Sequence, residues 1–486
     1  MIIMPTLIWQ SLFLDQCFLL IKKNLNCLTL SDVMKNIFKN KVSLVGITAL
    51  AIVLPAIMAL RVEKFEIDRG FTPVQAVTTN EFLNSIGANS AISSRGESIE
   101  KTVEAVKYTG IRWIRSGYEG DAPLADYFRL HKETGIRFSY GLMSGGVDIN
   151  KLLDHGRKLA AQGALLAFEG SNEPNNWSLT YQGEKGGAQL SWKAIANLQH
   201  DLYQAVKSEP SLKRFPVWSL SENGAQTDNV GLQFLEIPKG AETIIPEGTR
   251  FADFANSHNY FLHNSNPTLY DNQTWNAADP GPLCKVDGLY GNYGLTWKHK
   301  FKGYSENELI SLPKVTTETG MTIEGIRTEE KQARMYLNMF LAQFKRKWSY
   351  TALYLLRDRS DESGNQSFGF YKPDYTPRKS AVYMHNFTTI LADKGNLQKP
   401  GSFGYSIVGQ PETVHELLLK NSNGKYQLVV WGEKANGADH TIVKLDHIAR
   451  SVKIFDPTTG VEPVDKLTNV SQIKLDLTDH PIIIEL

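Results

Sequence analysis

Between about residues 82 and 390, short apolar runs alternate with amphipathic helical stretches. A chain written this way can bury both kinds of segment by stacking helices on a parallel sheet. Eight runs read as strands: FLNSIGANSAI (82–92), IRWIRSGY (111–118), IRFSYGLM (136–143), ALLAFEGSNE (164–173), PVWSLS (216–221), FADFANSHNY (251–260), KVTTETG (314–320) and YTALYLLRD (350–358). The helices between them carry their own punctuation. SIEKTVEAVKYTG opens on Ser98 as an expected N-cap and stops at Gly110. TEEKQARMYLNMFLAQFKRK puts Ala333, Tyr336, Leu337, Phe340, Leu341 and Phe344 on one face, with acids first and bases last. Eight such repeats predict an α/β fold, a (β/α)8 TIM barrel of about 250 residues before insertions. The excess length falls in 222–250 and 261–313, read as long loops of the kind that shape a barrel's active face.

After residue 400 the pattern changes. HELLLK, YQLVVWGE, HTIVKL, SVKIFD, QIKLDL and PIIIEL are short strands between polar turns, with no helical period. They predict a smaller C-terminal β-sandwich, to which part of 62–80 could add. The expected division is an N-terminal segment 1–61, a barrel domain 62–400 and a sandwich domain 401–486.

The N-terminal segment carries a targeting pattern. Residues 42–60 are uncharged and follow Lys35, Lys39 and Lys41, as in an export signal. The same length would also span a bilayer, and a buried core helix is the plainer alternative. Pro55, Ala56 and Ala59 favour cleavage. MKNIFKNK, from Met34, reads like a natural signal start, which would put residues 1–33 upstream of it; a pair of membrane segments is the other option. The expected location is secreted or periplasmic, with membrane contact only through this segment. Of Cys17, Cys27 and Cys284, two precede the expected mature start, so no disulfide framework or cysteine zinc site fits the folded part. A net charge of +1 offers no basic surface for nucleic acid.

The chemistry concentrates at two strand ends. Glu173, in Ser171-Asn172-Glu173-Pro174, ends the fourth strand, and Glu318, in TTETGM, ends the seventh. Active sites of barrels lie at that end of the strands, and two carboxyls facing across a cleft suit glycoside hydrolysis. Mutual repulsion should push their pKa values apart, with Glu173 raised so that it can act as an acid. Nearby Glu169 reads as an ion-pair or supporting residue. Phosphate-loop and dinucleotide glycine motifs are absent, and His258 with His263 makes no recognisable metal pattern, so neither cofactor nor catalytic metal is expected.

Asn172-Glu173-Pro174 after strand four, together with Glu318 after strand seven, resembles the clan A retaining glycoside hydrolases, families 5 and 39 in particular. The resemblance covers roughly residues 80–390. It implies Glu173 as acid/base and Glu318 as nucleophile, and Asn172 as ligand of the sugar 2-hydroxyl. It also implies Arg115 near the nucleophile and His258 and Tyr260 as a His-x-Tyr pair at the substrate. Where many members carry a tryptophan platform after strand eight, this chain reads ALYLLRD, with Tyr354. Trp177, directly after the acid, is the expected stacking residue, with Trp275 and Trp297 as further loop candidates. Each residue also has a plainer reading: Glu173 as a helix cap, Glu318 and Arg115 as ion-pair residues, His258 and Tyr260 as hydrogen-bonded core. The expected activity is retaining hydrolysis of a β-linked oligosaccharide or polysaccharide, with carboxyls about 5–5.5 Å apart. A transglycosylase and a non-catalytic carbohydrate-binding protein are the alternatives.

Overall fold

The computed structural model describes residues 71–118, 122–174, 176–187, 190–191, 193–221, 250–262, 268–279, 311–393 and 395–486. Residues 1–61, the cysteines, His263, Trp297 and most of the two long loops lie outside them. No helix among the described residues is long and apolar enough to cross a membrane.

All eight expected barrel runs overlap a strand: Ile86–Asn89, Trp113–Gly117, Arg137–Met143, Leu165–Ser171, Val217–Trp218, Ala255–Ser257, Lys314–Thr319 and Trp348–Leu353, the last starting two residues before its expected run. They pair in parallel in the order six, seven, eight, one, two, three, four, five. A parallel bridge between Trp218 and Phe254 joins the fifth strand to the segment entering the sixth and closes the ring. Helices Ile99–Thr109, Leu124–Thr134, Ile149–Ala161, Lys193–Ser208, Glu329–Lys345 and Lys379–Ile390 follow strands one, two, three, four, seven and eight. Ser98 is the N-cap residue of the first of these, but its hydroxyl bonds the Glu100 carboxylate at 3.0 Å rather than the helix backbone. Thr328 does cap Glu329–Lys345, accepting from the Lys331 amide at 3.2 Å.

The barrel interior is layered. At the bottom, Trp113, Trp218 and Tyr350 meet with ring centroids 5.3–5.8 Å apart. Burying each such side chain contributes roughly 1.5–3 kcal/mol or more. Gly87 makes room for this layer, since a Cβ there would lie 2.3 Å from the Trp113 ring. Above it the interior turns polar, with Arg115, Ser139, Glu169, Asn256 and Thr317 all buried. Buried polar groups persist only when satisfied, so this layer is a network.

The C-terminal strands form one continuous, mostly antiparallel eight-stranded sheet around its own core. Pro73–Gln75 and Val77–Thr78 join its edges, so the segment ahead of the barrel belongs to this sheet. Period-two alternation assigns the faces. Leu418, Leu428, Val430 and Ile484 enter the sheet's own core, while Leu417, Leu419, Val429, Trp431 and Ile483 join the barrel's core. HTIVKL and SVKIFD, expected as separate strands, are one strand, Asp439–Phe455. Asp465–Leu477 pairs with it on both sides of the polar run, and the ladder skips with a register shift between Lys444 and Ala449.

Candidate active site

The fourth and seventh strands deliver Glu173 and Glu318 to one end of the barrel, and both carboxyls open into a cavity of about 660 Å³. Oxygens of the two carboxylates and a nitrogen of His258 lie within 4.8 Å of one another. Glu173 has φ +41°, a conformation rare for a residue with a side chain. Its amide donates to the Ser221 carbonyl at 3.0 Å, and Asn172 bridges to Ser221. The strand-five end therefore holds the turn that aims the acid.

Arg115, on strand two, connects the site to the polar layer beneath. Its guanidinium bonds Glu169 at 2.8–2.9 Å, Asn172 Oδ1 at 2.8 Å and Asn89 Oδ1 at 3.2 Å, and makes a short bond to Glu318. A planar fork with five donors suits such a junction, where an ammonium would not. Glu169 also accepts from Ser139, Asn256 and Thr317. It is the ion-pair and supporting residue that its sequence position suggested. Tyr260 donates to Glu318 at 2.7 Å.

Asn172 reaches the cavity while its side chain also bonds Arg115 and Ser144. Trp177 stands 57% exposed at the rim, on the turn that begins at Glu173. Arg115, Asn172, Glu173, Trp177, Tyr260 and Glu318 all line the cavity. His258 does not face it as a sugar ligand would. Its side chain is fully buried between the acids, with Nδ1 2.6 Å from Glu173 Oε1 and 3.4 Å from Glu318 Oε2. Trp275 is elsewhere, stacked on His415 at 4.0 Å with Arg346 over its ring, at the contact with the C-terminal sheet. Sequence reasoning missed several lining residues: Asn89 at the end of strand one, Ser90 and Glu97 after it, and Phe368 beyond strand eight. Asn176, which donates to Glu173 at 3.1 Å, was also missed. Their one available signal was proximity to strand C-termini.

The electrostatics differ from expectation in one respect. Burial raises the Glu173 carboxyl, but the hydrogen bond and charge of His258 outweigh burial and take it below its ordinary value. Burial holds Glu318 above its ordinary value, reinforced by the Glu173 charge and opposed by His258 and Arg115. The raised Glu173 expected from facing carboxylates is thus reversed, because the hydrogen bond and charge of His258 favour its ionised form. Burial and the neighbouring Glu318 carboxylate keep the Tyr260 phenol well above its usual range, so it remains a donor.

Glu173, His258 and Glu318 are the one group of His, Cys, Asp and Glu among the described residues close enough to share a cation. Both imidazole nitrogens are already engaged, and Arg115 beside Glu318 opposes another positive charge. The donor set fits a proton-transfer site better than a metal centre.

The fold is shared with solved glycosidases. A family 39 glycoside hydrolase from Bacteroides cellulosilyticus WH2 superposes with a TM-score of 0.53 at 14% identity, over 84% of this chain and 82% of that one. CelM2, a bifunctional glucanase-xylanase from a metagenome library, gives 0.52 at 11% identity, over 85% and 96%. An alpha-L-arabinofuranosidase from Thermotoga maritima gives 0.50 at 10% identity, over 85% and 100%. No protein-family model matches the sequence, and no curated protein does. At these identities the likeness establishes the fold, a (β/α)8 barrel with a β-rich C-terminal domain.

Proposed function

We propose that the chain is an exported glycoside hydrolase that cleaves β-linked glycans with retention. The observation that carries this reading is the Glu173–Glu318 pair, with one oxygen of each carboxylate within 4.8 Å of the other at the ends of strands four and seven. Retaining enzymes hold their carboxyls about 5–5.5 Å apart, whereas inverting enzymes leave about 6.5–9.5 Å for a water. The glycosidases that share the fold support the same class.

In this reading Glu318 attacks the anomeric carbon while Glu173 protonates the departing oxygen. Water then displaces Glu318 as Glu173 takes its proton. Arg115 and Tyr260 hold the Glu318 carboxylate in line, and Asn172 meets the sugar 2-hydroxyl. Export rests on the lysine-flanked apolar segment 42–60. Trp177, exposed on the acid's side of the cleft, gives an incoming sugar a face to stack on, and this favours transglycosylation as the second reading.

The test is a panel of aryl glycosides and polysaccharides on protein beginning near residue 62, with the first product followed by proton NMR. Initial release of the β-anomer supports retention, and initial release of the α-anomer contradicts it. Glycan binding without turnover across the panel would make the chain a carbohydrate-binding protein.

A further inference from the structure

His258 has no exposed surface, and its ring is committed to other side chains. Nδ1 lies 2.6 Å from Glu173 Oε1, and Nε2 lies 3.1 Å from Thr317 Oγ1. Thr317 decides which nitrogen carries hydrogen. Its hydroxyl has one hydrogen and two acceptors for it, Glu169 Oε1 and Asn256 Oδ1, each at 3.0 Å. The Asn256 amide is turned so that its Nδ2 donates to the Ser219 carbonyl at 3.2 Å, which leaves Oδ1 facing Thr317. With its one hydrogen turned to Glu169 or Asn256, Thr317 offers His258 a lone pair, and Nε2 is then the donor.

A neutral ring protonated at Nε2 presents a bare lone pair at Nδ1. A 2.6 Å contact with Glu173 then requires a proton between the two. Carboxylic acid beside neutral imidazole and carboxylate beside imidazolium are two drawings of that one proton. The opposite tautomer, with hydrogen on Nδ1 alone, would leave Glu173 an ionised acceptor with nothing to donate.

We propose that Glu173 and His258 hold the leaving-group proton jointly, and that Thr317, backed by Glu169 and Asn256, is the positioning residue that keeps it there. The proposal rests on the acid/base reading of Glu173. In the first step a Glu318 oxygen bonds the anomeric carbon, and the pair of the breaking glycosidic bond goes to the leaving oxygen. That oxygen takes the proton held by Glu173 and His258. Glu173 is then a carboxylate facing the Nδ1 lone pair, which strengthens it as a base. In the second step a water oxygen bonds the anomeric carbon, Glu318 leaves as carboxylate, and the water's proton returns to the pair. The depressed Glu173 carboxyl agrees with an imidazole competing for this proton.

The test is Thr317→Val, a near-isosteric change that removes the acceptor at Nε2 and frees His258 to take the Nδ1–H tautomer. With alkyl or sugar leaving groups, kcat/KM should fall about 10²-fold, the lower range for loss of general acid catalysis. With dinitrophenyl glycosides it should change less than about threefold, because that leaving group needs little protonation. Thr317→Ser, which restores the hydroxyl, should recover the alkyl substrates. Nitrogen-15 NMR of histidine-labelled enzyme should show Nε2 protonated in the wild type and the proton moved to Nδ1 in the valine variant. Equal losses on both substrate classes, or a wild-type His258 bare at Nε2, would overturn the proposal. If Glu173→Ala shows leaving-group dependence and Thr317→Val does not, this proposal fails while the acid/base reading stands. A wild type that turns over no glycoside refutes both.

Discussion

Replacing Arg115 with methionine should be among the most damaging single changes in the barrel. The guanidinium is 1% exposed and serves Glu169, Glu318, Asn89 and Asn172 together. Methionine fills much of the volume but leaves two buried carboxylates without their cation. Removing one partner from a buried ion pair costs about 3–5 kcal/mol, a large share of a net stability of roughly 5–15 kcal/mol. Arg115→Lys keeps the charge but cannot span the same partners, so its loss should be intermediate. The pH dependence follows from Glu318. Its folded carboxyl lies above the unfolded value of about 4.3, and Arg115 is one of the groups pulling it down. Without Arg115 it should rise further. The penalty should then be fullest where Glu318 is ionised and shrink as pH falls through its raised pKa. For the same reason the acid limb of kcat/KM should move to higher pH, since the proposed mechanism needs Glu318 ionised. Urea denaturation of both proteins across pH 4–8, alongside pH–rate profiles, measures each effect. A loss below about 1 kcal/mol, or one independent of pH, would refute the argument.

Glu318→Ala should abolish turnover, and added azide should return an α-glycosyl azide from an activated β-glycoside; unchanged hydrolysis would remove Glu318 from the nucleophile's role. Gly87→Ala should lower stability by about 1–3 kcal/mol, because its Cβ would meet the Trp113 ring; an unchanged midpoint in urea would show that the bottom layer yields. Asp479 pairs with Lys331 at 2.7 Å and Arg334 at 2.9 Å, and although burial opposes it, these partners and His480 drive its carboxyl far below its ordinary value. Its stabilisation should be present above the unfolded pKa of about 3.9 and be lost as pH falls, so Asp479→Asn should be destabilised at neutral pH and less acid-sensitive than wild type.

Much of this architecture could be read from the chain because its signals are local. Each barrel strand needs only a short apolar run, and even the two-residue Val217–Trp218 sits inside PVWSLS. Glu173 and Glu318 were legible because strand C-termini converge in any barrel. What the sequence hides is lateral. His258 meets Glu173 across 85 residues, and no local pattern says that its ring turns to the acid rather than to substrate. The direction of the Glu173 shift was lost with it. Trp275 has the look of a loop platform, yet His415 and Arg346, both distant in sequence, draw it to the sheet contact. The strand Asp439–Phe455 contains a run polar enough to read as a turn, yet it runs on through an irregularity in its pairing with Asp465–Leu477, which no local pattern shows.

The central claim is that Glu318 becomes covalently bonded to the sugar while Glu173 handles the proton. A 2-deoxy-2-fluoro-β-glycoside with a dinitrophenyl leaving group slows both steps and lets the glycosyl-enzyme accumulate, so that mass spectrometry of the proteolysed protein can locate the label. The expected result is one sugar per chain, on the peptide carrying Thr317-Glu318-Thr319 and specifically on Glu318. A label on Glu173 or another carboxylate, or turnover with inverted configuration and no label, would contradict the account.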